Sequence, residues 1–420
     1  MCIRDRNNFK IRGSWGELGN CNTTAFYPFY QTMPTGVENS GWLINGKKPN
    51  TASAPGIVSA EMTWETVRSW NIGFDFGLLN NRLTGSFDYF VRNTLDMIGP
   101  APQLPATLGA TVPKVNNADM KAWGFEVEVS WRDRIKDFNY GVKFVLSDDQ
   151  RKVTRYPNEE LNRNQWYAGR MDGLVWGYET VGIAKTDAEM EAHLASLPNG
   201  GQSQLGSKWA AGDIMYKDLN GDGKISSGDG TLNDLGDLKV VANTQLRFKY
   251  GLTLDASWKG FDFSAFFQGV GKRDVVVGGP YFWGANGQGM WQAAAFKDHM
   301  DYFRPEDTES VFGPNVDAYY PRVIFGGGSS EGGKNTLTQS RYVQNGAYIR
   351  LKNLQLGYTL PSTITKKFAV NSLRVYVSGD NLWTGTKMRV FDPEVLGSTG
   401  DAGKAYPLAR VWSVGLNVNF

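Results

Sequence analysis

The chain closes on VWSVGLNVNF, where Trp412, Val414, Leu416, Val418 and Phe420 alternate unbroken with Ser413, Gly415, Asn417 and Asn419. A period of two places one set on each face of a strand. Chain ends usually fray, yet here the last residue is aromatic and still in phase. The pattern recurs upstream. Trp70, Ile72, Phe74, Phe76 and Leu78 alternate with Asn71, Gly73, Asp75 and Gly77, and Leu83, Phe87, Tyr89 and Val91 oppose Arg82, Thr84, Ser86, Asp88 and Arg92. AWGFEVEVSW (122–131) sets Trp123, Phe125, Val127, Val129 and Trp131 against Gly124, Glu126, Glu128 and Ser130. FNYGVKFVL (138–146), LRFKYGLTLDASW (246–258), FDFSAFFQG (261–269) and LRVYVSGDNLW (373–383) obey the same rule, FKIRGSWGEL (9–18) more weakly. In AYIRLKNLQLGYTLP (347–361) the phase slips at Lys352-Asn353, as a β-bulge would make it. About ten strands are predicted, most of the length a tilted membrane strand needs, roughly 9–11 residues.

The connections alternate as well. Short ones are predicted at Asn80-Asn81, Asp133–Asp137, Lys259-Gly260 and Pro361–Ser372, long ones near 19–63, 99–119, 150–244, 278–340 and 386–408. Membrane barrels carry short periplasmic turns and long extracellular loops. That rhythm puts the last residue on the periplasmic side. A β-sandwich, jelly roll or propeller also alternates, but has no reason to keep long loops on one side. The Trp residues near strand ends (Trp70, Trp123, Trp131, Trp258, Trp412) suit interfacial girdles.

Composition fits. The chain holds 50 Gly, 14 Trp, 18 Tyr and 23 Phe, a mean hydropathy of −0.38, and no run of eighteen apolar residues, so the signal is that of a barrel with a polar interior and not of membrane helices. Lys+Arg (44) nearly balance Asp+Glu (42), which argues against nucleic-acid binding through bulk charge. Two cysteines, Cys2 and Cys21, make no disulfide framework. MCIRDR at the start looks adapter-derived, so residues 1–6 are set aside as non-native and 7–420 treated as one unit.

AYIRLKNLQLGYTLP, VYVSGDNLWTGTK, FDPEV and YPLARVWSVGLNVNF, together with the loop GDIMYKDLNGDGKISSGD, resemble the C-terminal half of SusC/RagA-type TonB-dependent outer-membrane transporters. The resemblance covers about residues 60–420. It implies a 22-stranded barrel around an N-terminal plug, a TonB box, a SusD-like lipoprotein lid, and uptake of glycan or peptide oligomers. No plug, TonB box or signal is evident, so the chain is expected to be a fragment holding the last ten or so strands of an antiparallel transmembrane β-barrel with long extracellular loops.

The sharpest chemical motif is DLNGDGKISSGD (218–229), inside the long 150–244 loop. It fits a calcium loop, D-x-[DN]-x-[DN]-G with an acidic twelfth position. Asp218, Asn220 and Asp222 would offer side-chain oxygens, Gly223 the sharp bend, Lys224 its carbonyl, and Asp229 the closing carboxylate. The bland reading is an Asx/Gly turn cluster without an ion. DIMYK reads as a strand, so no paired-helix switch is expected, and a Ca²⁺ here would be structural. TDAEMEAHLASL reads as a loop helix capped by Thr186, which leaves His193 on a surface. His299 has no triad or zinc partner in sequence. Glu126 and Glu128 could act as paired acid and base, but lumen-facing charge is the simpler account. Asp75, Asp88, Arg247 and Asp255 are assigned to the same inner face. Tyr281, Phe282, Trp283 and Trp291 sit among glycines, either to stack on sugar rings or to pack against neighbouring loops or a lid, the second being preferred.

The sequence therefore reads as a partial TonB-dependent transporter of the outer membrane and not an enzyme. Its expected partners are a SusD-like lipoprotein, the TonB complex, outer-membrane lipid and an oligosaccharide or peptide substrate. The rival is a calcium-stiffened secreted or surface β-sandwich that binds glycans or adheres. The two differ in which strand face meets water.

Overall fold

The computed structural model describes residues 6–21, 30–37, 43–53, 55–59, 62–99, 107, 112–286, 295–324, 330–397 and 404–420. One antiparallel sheet dominates. Its ten strands are β1 (Arg6–Asn20), β2 (Glu65–Leu78), β3 (Leu83–Ile98), β4 (Asn116–Ile135), β5 (Phe138–Arg155), β6 (Arg247–Trp258), β7 (Phe261–Lys272), β8 (Tyr348–Thr359), β9 (Ser372–Thr386) and β10 (Val411–Asn419). They pair strictly in chain order, with β1 and β10 at the two edges among the described residues. Arg6, set aside from the sequence, already pairs with Leu78.

All ten strands coincide with the alternating stretches. The expected phase slip in β8 is present. Pairing with β7 shifts between Phe266 and Phe267, and pairing with β9 shifts between Leu351 and Asn353. The inner turns are tight: Leu79, Asn80 and Asn81 take positive φ, as do Lys136, Lys259 and Gly260. Asn and Gly tolerate that conformation best. The β4–β5 turn is shorter than Asp133–Asp137, because Asp133–Ile135 still pair with Phe138–Tyr140.

Strand length departs from expectation. β4 has 20 residues and β5 has 18. At about 3.3 Å per residue, β4 spans roughly 66 Å, far more than hydrocarbon requires. The extra length lies at the outer end, where alternation fades and a small apolar cluster of Ala118, Val153 and Tyr156 is buried among polar residues. There Arg155 binds Asp119 and Asp96 at 2.8 and 2.7 Å, tying β5 to β4 and β3.

Between Trp123 and Trp131 the strand rises roughly 26 Å at about 3.3 Å per residue, close to the height of a membrane barrel's apolar band. In the register Trp15, Trp70, Val91 and Trp123 form an outer row, and Leu83 with Trp131 and Phe138 with Trp258 and Phe261 an inner one. The band between them stays uncovered: Ile72, Phe74, Phe144, Phe263, Leu356, Val414 and Leu416 are exposed. No second sheet lies against it among the described residues, which removes the sandwich reading. No helix is long and apolar enough to cross a membrane, a statement that concerns helices alone.

The largest buried cluster among the described residues lies outside the ten strands. It is assembled from Tyr178, Ile214, Tyr216 and Ile225 of the connection after β5, Val275, Phe282, Trp283, Tyr320 and Tyr342 of that after β7, and Met388 and Leu396 of that after β9. Residues 174–178 pair with 238–243, 180–183 with 214–216, and 274–276 with 343–345. Three loops thus form one packed body on the outer end of the wall. Lys334 and Asp213, both fully buried, lie 3.0 Å apart at its centre. Asp213 also receives both Arg322 nitrogens at 2.7 Å, while Lys334 reaches Glu331 at 3.0 Å and lies over the Trp209 ring. The Ser207 hydroxyl and N–H, then Lys334, hold the Glu331 carboxyl down at about 2.

Three outcomes follow. Leu254→Arg on the bare face should destabilise the full-length protein by about 2–4 kcal/mol in bilayer refolding, and Thr253→Arg on the opposite face by far less; equal costs would contradict the assignment of faces. Lys334→Ala should cost the loop body about 3–5 kcal/mol by leaving Asp213 partly uncompensated, seen as lost hydrogen-exchange protection at residues 213–216. Glu331 is more acidic folded than unfolded, so its contribution is complete above the ordinary carboxyl value. It is lost as pH falls toward about 2, and Glu331→Gln should flatten that part of an acid exchange profile.

Candidate functional site: an inner wall of paired charge

The face opposite the aromatic band carries the expected charges, and most meet a partner one or two strands away. Arg12 spans to Asp75 at 2.9 Å and Asp88 at 2.7 Å. Glu128 meets Lys143 at 2.8 Å and Asp149 meets Lys249 at 2.8 Å. Arg374 binds Asp262 through its Nε at 2.9 Å. Glycines make this possible: a Cβ on Gly141 would lie 2.6 Å from an Asp255 carboxylate oxygen, so Asp255 leans across the space Gly141 leaves. Asp75, Asp88, Glu126, Glu128 and Asp255 share one phase. Arg247 makes a bidentate pair, 2.5 Å on each arm, with Asp148, the residue opposite Phe125 in the register. Glu126 is exposed toward the open side, and nothing pairs it with Glu128 as an acid–base couple.

The sequence motifs YIRLKN and FDPEV, read separately, turn out to be two halves of one cluster. Arg350 of β8 is 3% exposed. It reaches Asp392 and Glu394 at 2.7 Å each, and Lys352 reaches Glu394 at 2.8 Å. Arg350 also donates to the Thr384 hydroxyl of β9 at 2.8 Å. Arg273, just beyond β7, donates to the carbonyls of Pro393, Leu396 and Gly397 at 2.9, 2.6 and 2.8 Å. Charge-assisted bonds of this kind are the strong ones. Together they hold residues 391–397, a segment of the loop body, against the wall. Sequence reasoning missed this pairing, although both motifs carried the signal: complementary charge in two short segments some forty residues apart is invisible until the chain brings them together.

In the 218–229 loop, the two carboxylate oxygens of Asp218 accept the N–H groups of Gly221 and Gly223 at 2.6 and 2.8 Å. Asn220 accepts from the Asp222 N–H, and Asp222 from that of Lys224. These residues therefore line one turn, with Gly221 and Gly223 at positive φ. Asp229 is turned elsewhere, its carboxylate taking the Thr231 N–H at 2.7 Å. The acid beside the turn is Asp237, fully buried, which accepts from Leu219 and Ser226 N–H groups. Burial, then the nearby Asp218 and Asp222 charges against those two bonds, holds its carboxyl above the ordinary range. Among the described residues no three Asp, Glu, His or Cys side chains close on a common point.

The loop helix α1 (Asp187–Ala195) has the expected Thr186 cap, which accepts the Glu189 N–H. His193 is half-buried against Gln202 at 3.2 Å. His299 accepts the Phe296 N–H through Nδ1. Phe282 and Trp283 are buried among loop aromatics, as the packing reading has it, whereas Tyr281 is exposed and stacks on Phe296 with centroids 5.8 Å apart. Trp291 lies outside the described residues.

The chain is similar to curated outer-membrane proteins over its whole length. It is 27% identical to TonB-dependent receptor P3 of Formosa agariphila, covering 100% of this chain and 40% of the relative. To TonB-dependent receptor SusC of Bacteroides thetaiotaomicron it is 23% identical, covering 99% and 38%. It therefore spans about two fifths of the length of these relatives. Its fold matches a structure of the RagAB peptide transporter with a TM-score of 0.71 at 22% identity, over 99% of this chain and 41% of that one. The model of the TonB-dependent receptor-like β-barrel matches residues 6–382. With its ten in-order strands, its bare aromatic band and this match, the chain belongs to the TonB-dependent receptor β-barrel family of the outer membrane.

Proposed function

We propose that this chain forms part of the wall and mouth of a SusC/RagA-type importer that carries glycan or peptide oligomers across the outer membrane. The observation that carries it is the contrast of the sheet's two faces. One is bare and aromatic, the other lined by paired charges and continuous with a packed loop body at one end only. Such a wall suits a wet lumen in an apolar solvent. The exposed edges of β1 and β10 would leave backbone groups unpaired in hydrocarbon, so further wall strands would complete the barrel. A plug coupled to TonB would gate it, and a SusD-like lipoprotein would cover the loop side. Nothing in the wall resembles a catalytic group, and we read the protein as a transporter and not an enzyme. The test is deletion of the full-length gene in its own host. Growth on one class of oligomer should fail while growth on its monomer persists, and a SusD-like lipoprotein should co-purify with the tagged transporter. Normal growth on every oligomer tried would refute the reading.

A second proposal concerns the 218–229 turn. Asp218, Asn220, Asp222 and the Lys224 carbonyl would hold a structural Ca²⁺. Asp229 would have to leave Thr231 to close the shell, or Asp237 would substitute for it. Support comes from the like charge gathered around buried Asp237, which a cation would relieve. Millimolar Ca²⁺ should slow hydrogen exchange across residues 214–238, and Asp222→Ala should abolish that effect. An identical response in the variant would show that no ion binds there.

A further inference from the structure

The lumen face of a membrane barrel is expected to be polar, and on β5–β7 it mostly is. Asn139, Lys143, Thr253, Asp255, Asp262 and Ser264 occupy it. The rule breaks in one place. Val145, Phe266 and Val270 share that polar phase near the outer end of the wall. Local conflicts with an otherwise consistent pattern mark functional positions more often than errors.

Residues 393–397 hang over this apolar spot and leave a recess of about 650 Å³ beneath them. Val145, Phe266 and Val270 line its wall, Pro393 and Leu396 its roof. Gly251 forms part of the floor: a Cβ there would come within 3.0 Å of a Val145 methyl and 3.2 Å of the Phe266 ring. The missing side chain keeps the aromatic face open. Ser147 and Gln268 supply hydrogen-bonding edges.

Charge decides what fits. Three of the four cations at the recess are matched by carboxylates. Lys249 has Asp149 at 2.8 Å, and Arg350 and Lys352 hold Asp392 and Glu394. The Arg273 guanidinium is taken up by three carbonyls of the roof. A cation would find each nearby carboxylate already paired, an anion would find only a guanidinium whose donors are turned into the roof, and either would lose its hydration. A neutral group loses little and gains the apolar wall. The volume lies in the range of small-molecule sites, roughly 300–1,000 Å³.

We propose that this recess binds an uncharged, ring-sized group with one apolar face and a hydrogen-bonding edge, and that the Arg350–Asp392–Glu394 cluster positions its roof. The inference rests on the reading of this face as a solute path, but binding can be measured without transport. In full-length transporter in nanodiscs, with Cys21 and every other native cysteine replaced by serine, Ser147→Cys reports on the recess and Thr253→Cys serves as a lumen control. Methyl methanethiosulfonate labels each, with indole as the neutral probe and benzoate as the charged one. Saturating indole should slow labelling of the Ser147→Cys variant about tenfold, leaving the control unchanged, and benzoate should slow neither. Adding Gly251→Leu, which fills the floor, or Arg350→Ala, which frees the roof, should abolish the protection. Arg350→Lys should restore part of it. Labelling equally fast with and without indole, equal slowing of the control, or protection by benzoate would each overturn the proposal. Protection by indole in a protein that transports nothing would strike the transport reading and leave the site standing.

Discussion

Backbone hydrogen bonding in an apolar solvent is the constraint on which this structure depends. Hydrocarbon offers no partner to an N–H or C=O, so a spanning segment must satisfy both within the protein. The ten strands do so by pairing each with its sequence neighbour, from Arg6 against Leu78 to Ser372 against Asn419. Once that ladder is fixed, one face must suit lipid and the other water. The short inner turns follow from pairing neighbours. The long outer connections are then free to do something else.

What they do is fold. A membrane sheet one layer thick has no interior of its own, so the chain builds its core from loops. Phe282, Trp283, Tyr216, Tyr320 and Tyr342 bury one another at the outer end, while their counterparts in the wall, such as Phe74 and Phe263, remain bare. Lys334 and Asp213 bind that body internally, and Arg273 with Arg350 binds its 391–397 segment to the wall. A buried pair contributes little net stability but is expensive to break. Such contacts suit a loop body that has to keep one shape on the end of the wall.

The strands were legible because one face is apolar and the other polar over the full thickness of the membrane. Even the β8 bulge showed, because a single extra residue reverses the phase of everything after it. The outer ends of β3, β4 and β5 were not legible. In SDDQRKVTR (147–155) polar residues fall on both faces and Val153 is the one aliphatic residue, buried against Ala118, so alternation carries no signal. The calcium-type turn was located correctly as a turn, but sequence spacing aimed Asp229 into it, whereas the fold gives that carboxylate to Thr231 and places Asp237 beside Asp218. Asp237 lies beyond the motif and carried no positional cue.

Sequence alone determined the strand count, the phase of each strand, the side on which loops gather, and through them the membrane setting. All are local properties, set by residues two apart and by turn chemistry. Only the tertiary structure decided that Arg350 and Lys352 meet Asp392 and Glu394, that three loops share one core, and that Val145, Phe266 and Val270 lie together beneath residues 393–397. Those contacts join positions tens to hundreds of residues apart, and their partners are selected by the register of the sheet and the closure of the loops, which no short-range pattern encodes.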